Sequence, residues 1–205
     1  MPEHLTHDEI NSQTDPSVAK QYDSSTPKEQ QIKDFFNMVD GKKIAMLNTY
    51  RNGVGPVGRS MAVAKRSGPD ILLLANQHSQ KFQDLSQNKE VQITFQDSKT
   101  QDWISISGTA TTVSNSDPRI KELWSRGIKA WFGDLGDGKH DGGPDDPRMA
   151  LIEVKAKYAT YYLTQSGTLG FIKEVGTAAV TGKVAETGVL RELHEADLEQ
   201  ARKME

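Results

Sequence analysis

The sequence predicts a mainly β fold with flanking helices, in which six antiparallel strands close into a barrel. Three observations lead there. Short stretches of strand composition recur along the chain. Tight-turn chemistry joins most of them. No regular alternation of strand and long helix occurs, as a parallel βαβ sheet would require. A chain of 205 residues suits one such domain with extensions.

Residues 1–25 show little apolar periodicity and are expected to form a mobile arm. Structure should begin at Thr26-Pro27-Lys28-Glu29, with Thr26 capping a helix, Pro27 in its first position and Glu29 completing a capping box. Ile32, Phe35, Phe36 and Val39 recur at helical spacing, and Gly41 ends the run. Ile44–Tyr50 reads as a strand and Asn52-Gly53 as a turn. Arg59–Lys65 places Met61, Val63 and Lys65 on one strand face. After the turn Ser67-Gly68-Pro69-Asp70, Ile71–Ala75 is apolar enough for a buried strand.

A short helix is expected over Ser79–Leu85, and Val91–Phe95 alternates as a half-buried strand does. Trp103–Val113 is a long strand interrupted by Gly108, which suggests a bulge. Asp117-Pro118 opens a helix through Trp124, and Met149–Leu163 is the last long strand. Residues 26–165 therefore make the barrel domain. Residues 166–205 form an extension, Gly-rich and apolar as far as Gly188, ending in a charged helix over Val189–Lys203.

Composition narrows the function. A net charge of −3 argues against nucleic-acid binding, which needs a clustered cationic excess. With no cysteine, thiol nucleophiles, disulfides and thiolate metal sites are excluded. No apolar run reaches the roughly 20 residues of a membrane span. Residues 1–23 carry no apolar signal core, so the expected location is the cytoplasm. His4, His7, His78, His140 and His194 lack ligand spacing, and no metal is expected. The acidic loop with Asp134, Asp137, Asp141, Asp145 and Asp146 lacks calcium-loop spacing and reads as solvated.

Gly53-Val54-Gly55-Pro56-Val57-Gly58 matches the dinucleotide motif G-x-G-x-x-G. That chemistry needs a helix directly after the motif, to receive pyrophosphate on its N-terminus. The residues that follow read as a strand, so the segment is assigned to a hairpin turn. A different set carries phosphate chemistry: Arg59 on a strand, and Ser79 and Lys81 where a strand gives way to a helix. Arg offers a fork of donors, Lys a compact charge and Ser a hydroxyl. On spacing alone, solvated strand ends are the better account of these residues.

The order of segments from Ile44 to Thr164 resembles the pyridoxamine phosphate oxidase-like FMN-binding split barrels, most closely the general stress protein and fungal blue-light-inducible branch. The match is carried by Arg59-Ser60-Met61, by Leu74-Ala75-Asn76 with Ser79-Gln80-Lys81, and by Val91–Asp97. It continues through Ser105-Ile106-Ser107-Gly108-Thr109-Ala110, Glu122-Leu123-Trp124, Lys129-Ala130-Trp131-Phe132 and Asp145-Asp146-Pro147. The resemblance implies FMN between the subunits of a homodimer, its phosphate on Arg59, Ser79 and Lys81. Ser60, Met61, Ala75 and Asn76 would lie along the ring and ribityl chain. Gln96, Asp97, Trp131 and Phe132 would approach from the partner subunit.

It further implies a flavin-dependent oxidoreductase acting on a small substrate. The alternatives are a flavin-binding stress or signalling module without turnover, or a protein that binds another flavin or a deazaflavin. Ser60 stands where the family usually has Pro, and Gln80 where true pyridoxamine phosphate oxidases have Arg. Arg191-Glu192-Leu193-His194 resembles the substrate motif of those oxidases but is expected in a surface helix. Vitamin B6 oxidation is therefore not expected.

Overall fold

The computed structural model describes Glu9, residues 13–165 and residues 167–204. His4 and His7 lie outside this set, as do residues 1–8 and 10–12 of the expected N-terminal arm. Helices α1 (Pro16–Gln21) and α2 (Lys28–Asp40) lead into β1 (Ile44–Arg51), β2 (Gly55–Ala62), β3 (Lys65–Ser67) and β4 (Asp70–Asn76). Then come α3 (Gln80–Gln87), β5 (Glu90–Gln96), β6 (Trp103–Val113), α4 (Arg119–Leu123), α5 (Arg126–Lys129) and β7 (Met149–Thr164). The chain closes with α6 (Thr168–Thr181), β8 (Gly188–Leu193) and α7 (Glu195–Arg202).

Among the described residues, all eight strands join one antiparallel sheet in the order β2-β1-β5-β6-β7-β4-β3, with β8 added to β7. The expected count of six is corrected for two reasons. The segment read as a single strand, Arg59–Lys65, changes partners. The Val63 amide bonds the Lys43 carbonyl beside β1, whereas the next amide, of Ala64, bonds Leu72 of β4. Consecutive residues thus link the two ends of the sheet. The second addition is β8. Strand β7 pairs with β4 only from Met149 to Val154, and β8 covers the same edge from Ala159 to Thr164. Arg191–His194 is therefore mostly strand rather than surface helix, and the predicted terminal helix shortens to α7.

The turn at Asn52–Val54 needs Gly53 at φ 77°, and β2 begins at Gly55. The G-x-G-x-x-G segment is thus two residues of turn followed by four of strand, with no helix behind it. Gly108 marks the bulge where the β6–β7 register shifts. A Cβ there would stand 2.2 Å from the Lys155 carbonyl oxygen, so the strands approach too closely for any side chain.

Alternation along β1, β5 and β6 sends Leu47, Ile93, Phe95, Ile104 and Ile106 into the main core, where α2 adds Ile32 and Phe35 and α7 adds Leu198. Strand β4 is buried on both faces. Leu73 and Ala75 join the main core, while Leu72 and Leu74 pack with Ile120, Met149 and Leu151 in a second cluster under α4 and α5.

Thr26 does not cap α2. Pro27 holds the cap position without a side-chain bond. The Thr26 hydroxyl donates to Asp23 at 2.7 Å and receives Arg191 at 3.2 Å. Arg191 is only 5% exposed. Its guanidinium donates to Asp23 at 2.8 Å and to Asp34 at 2.6 Å. Among the described residues no helix is long and apolar enough to cross a membrane.

Candidate functional site

Strand period and hairpin register assemble the site. On β1, Leu47, Thr49 and Arg51 share a face. Arg59 of β2 stands opposite Leu47 and so points to that same face. Its guanidinium donates to Thr49 Oγ1 at 2.8 Å and to Asp84 Oδ2 at 3.1 Å. Asp84, from the buried side of α3, also receives Arg51 through Nε at 3.0 Å and Nη2 at 3.2 Å, and the Thr49 hydroxyl at 2.8 Å. Hydrogen bonds from Arg51 lead in holding the Asp84 carboxyl below its ordinary value, against the opposing effect of burial.

Where β4 ends, Asn76 builds the approach to α3. Its side-chain oxygen accepts the His78 amide at 2.9 Å, and its carbonyl accepts the Ser79 hydroxyl at 2.7 Å. Ser79 occupies the N-cap position of α3 without making a side-chain cap bond. Instead its Oγ receives Lys81 Nζ at 2.7 Å. Burial, and then the positive charge of Arg59, push the Lys81 ammonium below its ordinary value. Burial likewise lowers Arg59, with Arg51 adding to the effect and Asp84 opposing it. Among the described residues Lys81 forms no ion pair with a carboxylate. Arg51, Arg59 and Lys81 against Asp84 leave two positive charges at the mouth of a helix N-terminus, an arrangement suited to an anion.

The structure thus brings Arg59, Ser79 and Lys81 together, with Ala75 and Asn76 leading into the same turn. Met61 shares the Arg59 face and packs on the main core, while Ser60 lies on the exposed outer face. Gln96 ends β5. Asp97 pairs with Lys42 at 2.7 Å, and that contact leads in lowering its carboxyl to about 2. Trp131 is 85% exposed beyond α5. Phe132 is held against the second cluster, and the Arg148 guanidinium lies 5.7 Å from its ring centroid. No hydrogen bond or ion pair among the described residues joins Ser60, Gln96, Asp97, Trp131 or Phe132 to the cationic cluster.

Sequence reasoning missed Thr49, Arg51 and Asp84. The period of two along β1 carried the signal for Thr49 and Arg51, since both follow Leu47 on the core face. Asp84 lies three residues after Lys81 and next to buried Leu85, where an acidic residue is unusual enough to call for a cationic partner.

Residues 30–186 match the family model described as pyridoxamine 5'-phosphate oxidase like. Protein bli-3 of Neurospora crassa is 36% identical over 195 residues, spanning 94% of this chain and 93% of that protein. Among solved structures, the general stress protein 26 of Jannaschia sp. CCS1 superposes with a TM-score of 0.60 at 19% identity, covering 81% of this chain and 99% of its own. The general stress FMN/FAD binding protein of Xanthomonas citri gives 0.56 at 22% identity, with coverages of 68% and 92%. At these identities the two structures establish the split-barrel fold.

Proposed function

The chain belongs to the pyridoxamine 5'-phosphate oxidase-like family, and on that premise we propose that it binds FMN, as an oxidoreductase of the general stress type acting on a small substrate. One observation carries the reading. Among the described residues, Arg59 and Lys81, both partly withdrawn from water, are close enough for the charge of Arg59 to act on Lys81, and Asp84, paired with Arg59 and Arg51, is the carboxylate that offsets them. An anion would relieve that repulsion, and a phosphate monoester near neutral pH brings close to two negative charges. The residues fit the group: Arg59 would hold phosphate oxygens with two-pronged geometry, Lys81 would add a point charge and Ser79 a hydroxyl. Main-chain groups of Ser60, Met61, Ala75 and Asn76 would border the ring and ribityl chain. Bound flavin would supply hydride-transfer chemistry. The barrel's task is to seat the ring and exclude water around it.

The reading includes a homodimer. Ile44, Met46 and Tyr50 lie 58%, 43% and 45% exposed on a single face of β1, an apolar row that a second copy would cover. Gln96, Asp97, Trp131 and Phe132 would then reach the flavin from the partner subunit. Vitamin B6 stays outside the proposed substrate class, because Arg191 is buried against Asp23 and Asp34 rather than offered to a ligand.

Titration with FMN, followed through the flavin absorbance bands, tests the proposal. The parent should bind and show those bands, and Lys81→Ala with Arg59→Ala should abolish retention while far-UV circular dichroism stays unchanged. Retention equal to the parent would overturn the phosphate assignment. Anaerobic addition of NADH or NADPH should bleach the bound flavin. An unchanged spectrum would favour a storage or sensing module over a reductase using these donors.

A further inference from the structure

We infer that Arg51 is a charge-balancing residue of the phosphate notch: by engaging Asp84 through two bonds, it leaves the charges of Arg59 and Lys81 available to a dianionic monoester, so that the site favours FMN over flavins lacking one. This rests on the reading of the notch as a flavin phosphate site.

The geometry supplies the argument. Asp84 is 2% exposed, and its carboxylate accepts Arg51 Nε at Oδ1 and Arg51 Nη2, Arg59 Nη2 and Thr49 Oγ1 at Oδ2. Arg51 thus holds both carboxylate oxygens, whereas Arg59 takes one and spends its other terminal nitrogen on Thr49. Without Arg51 the carboxylate would draw Arg59 inward and cancel one of the two cations the ligand needs. Arg51 sits at the end of β1, its side chain one-third exposed, so it is positioned to tune charge without filling the core. Charges this close interact strongly in a partly desolvated site, and losing one is expected to cost on the order of tenfold in anion affinity.

The experiment measures dissociation constants for FMN and for riboflavin, which lacks the phosphate, in the parent, Arg51→Gln, Arg51→Lys and the double variant Arg51→Gln/Asp84→Asn. Riboflavin serves as the control for ring binding and folding. Relative to the parent, the FMN-to-riboflavin preference should fall about tenfold in Arg51→Gln. It should return to within about threefold of the parent in the double variant, which restores two uncompensated cations, and in Arg51→Lys, which keeps the charge. An unchanged preference in Arg51→Gln overturns the inference. So does a double variant no better than the single, or an Arg51→Lys variant as impaired as Arg51→Gln, because structural damage alone would produce those patterns. A parent that binds neither flavin overturns the underlying reading instead.

Discussion

At Asp146 a carboxylate is taken almost wholly out of water and is held by the Arg148 guanidinium at 2.7 Å, by the Arg148 amide at 2.8 Å and by the Gly142 amide at 2.7 Å. Burial alone would raise its pKa. The hydrogen bonds outweigh burial and hold the carboxyl at about 2. Its stabilising contribution is therefore complete above the ordinary carboxylate range and is lost as pH falls through that range toward 2. The expected loss is about 2 kcal/mol. Urea midpoints should drop between pH 5 and pH 2, and Asp146→Asn should flatten that dependence while lowering stability at pH 7. A parent and variant with parallel pH profiles would contradict this. Residues of this kind were hard to read in sequence, because Asp146 stood among four other acids of one loop and nothing in the spacing distinguished the buried one. Arg59 and Lys81 were legible only together with the resemblance, whereas Asp84, the carboxylate that organises them, was not.

Elements built from local signals were legible. The period of two in β5 and β6, the helical spacing in α2 and the Gly108 interruption all correspond to observed structure, since each is decided by neighbours close in sequence. What escaped was decided at a distance. Asp15 caps α1 by accepting the Val18 amide at 3.2 Å with Pro16 at the first position, a proper start signal on a helix of six residues, too short to show periodicity. Val189, Leu190 and Leu193 mimic helical spacing, yet the unpaired half of β7 recruits them as β8, tertiary pairing overriding local preference. Gly108 offers a test at this scale. Gly108→Ala would force β6 away from Lys155 and should cost about 2–3 kcal/mol of stability, seen as a lowered Tm. A Tm equal to the parent's would show that the bulge yields freely.

For the molecule as a whole, the proposed homodimer would form through the apolar row on β1. Met46 stands in the middle of that row, opposite Ser60 on β2 and Thr94 on β5. Met46→Glu should leave the barrel folded, since the side chain lies outside the core, but should shift sedimentation from dimer toward monomer and weaken FMN retention with it. A Met46→Glu dimer as tight as the parent would place the interface elsewhere. The cluster around Arg191 has a different whole-molecule effect. It ties Asp23 and Thr26, ahead of the first sheet strand, to the last one, and the Asp23 amide bonds the Leu190 carbonyl at 2.9 Å. Segments 168 positions apart therefore behave as a single clasp. In deuterium-exchange measurements the amides near residue 23 and those of residues 188–193 should open together, and a protease cut in either would release both.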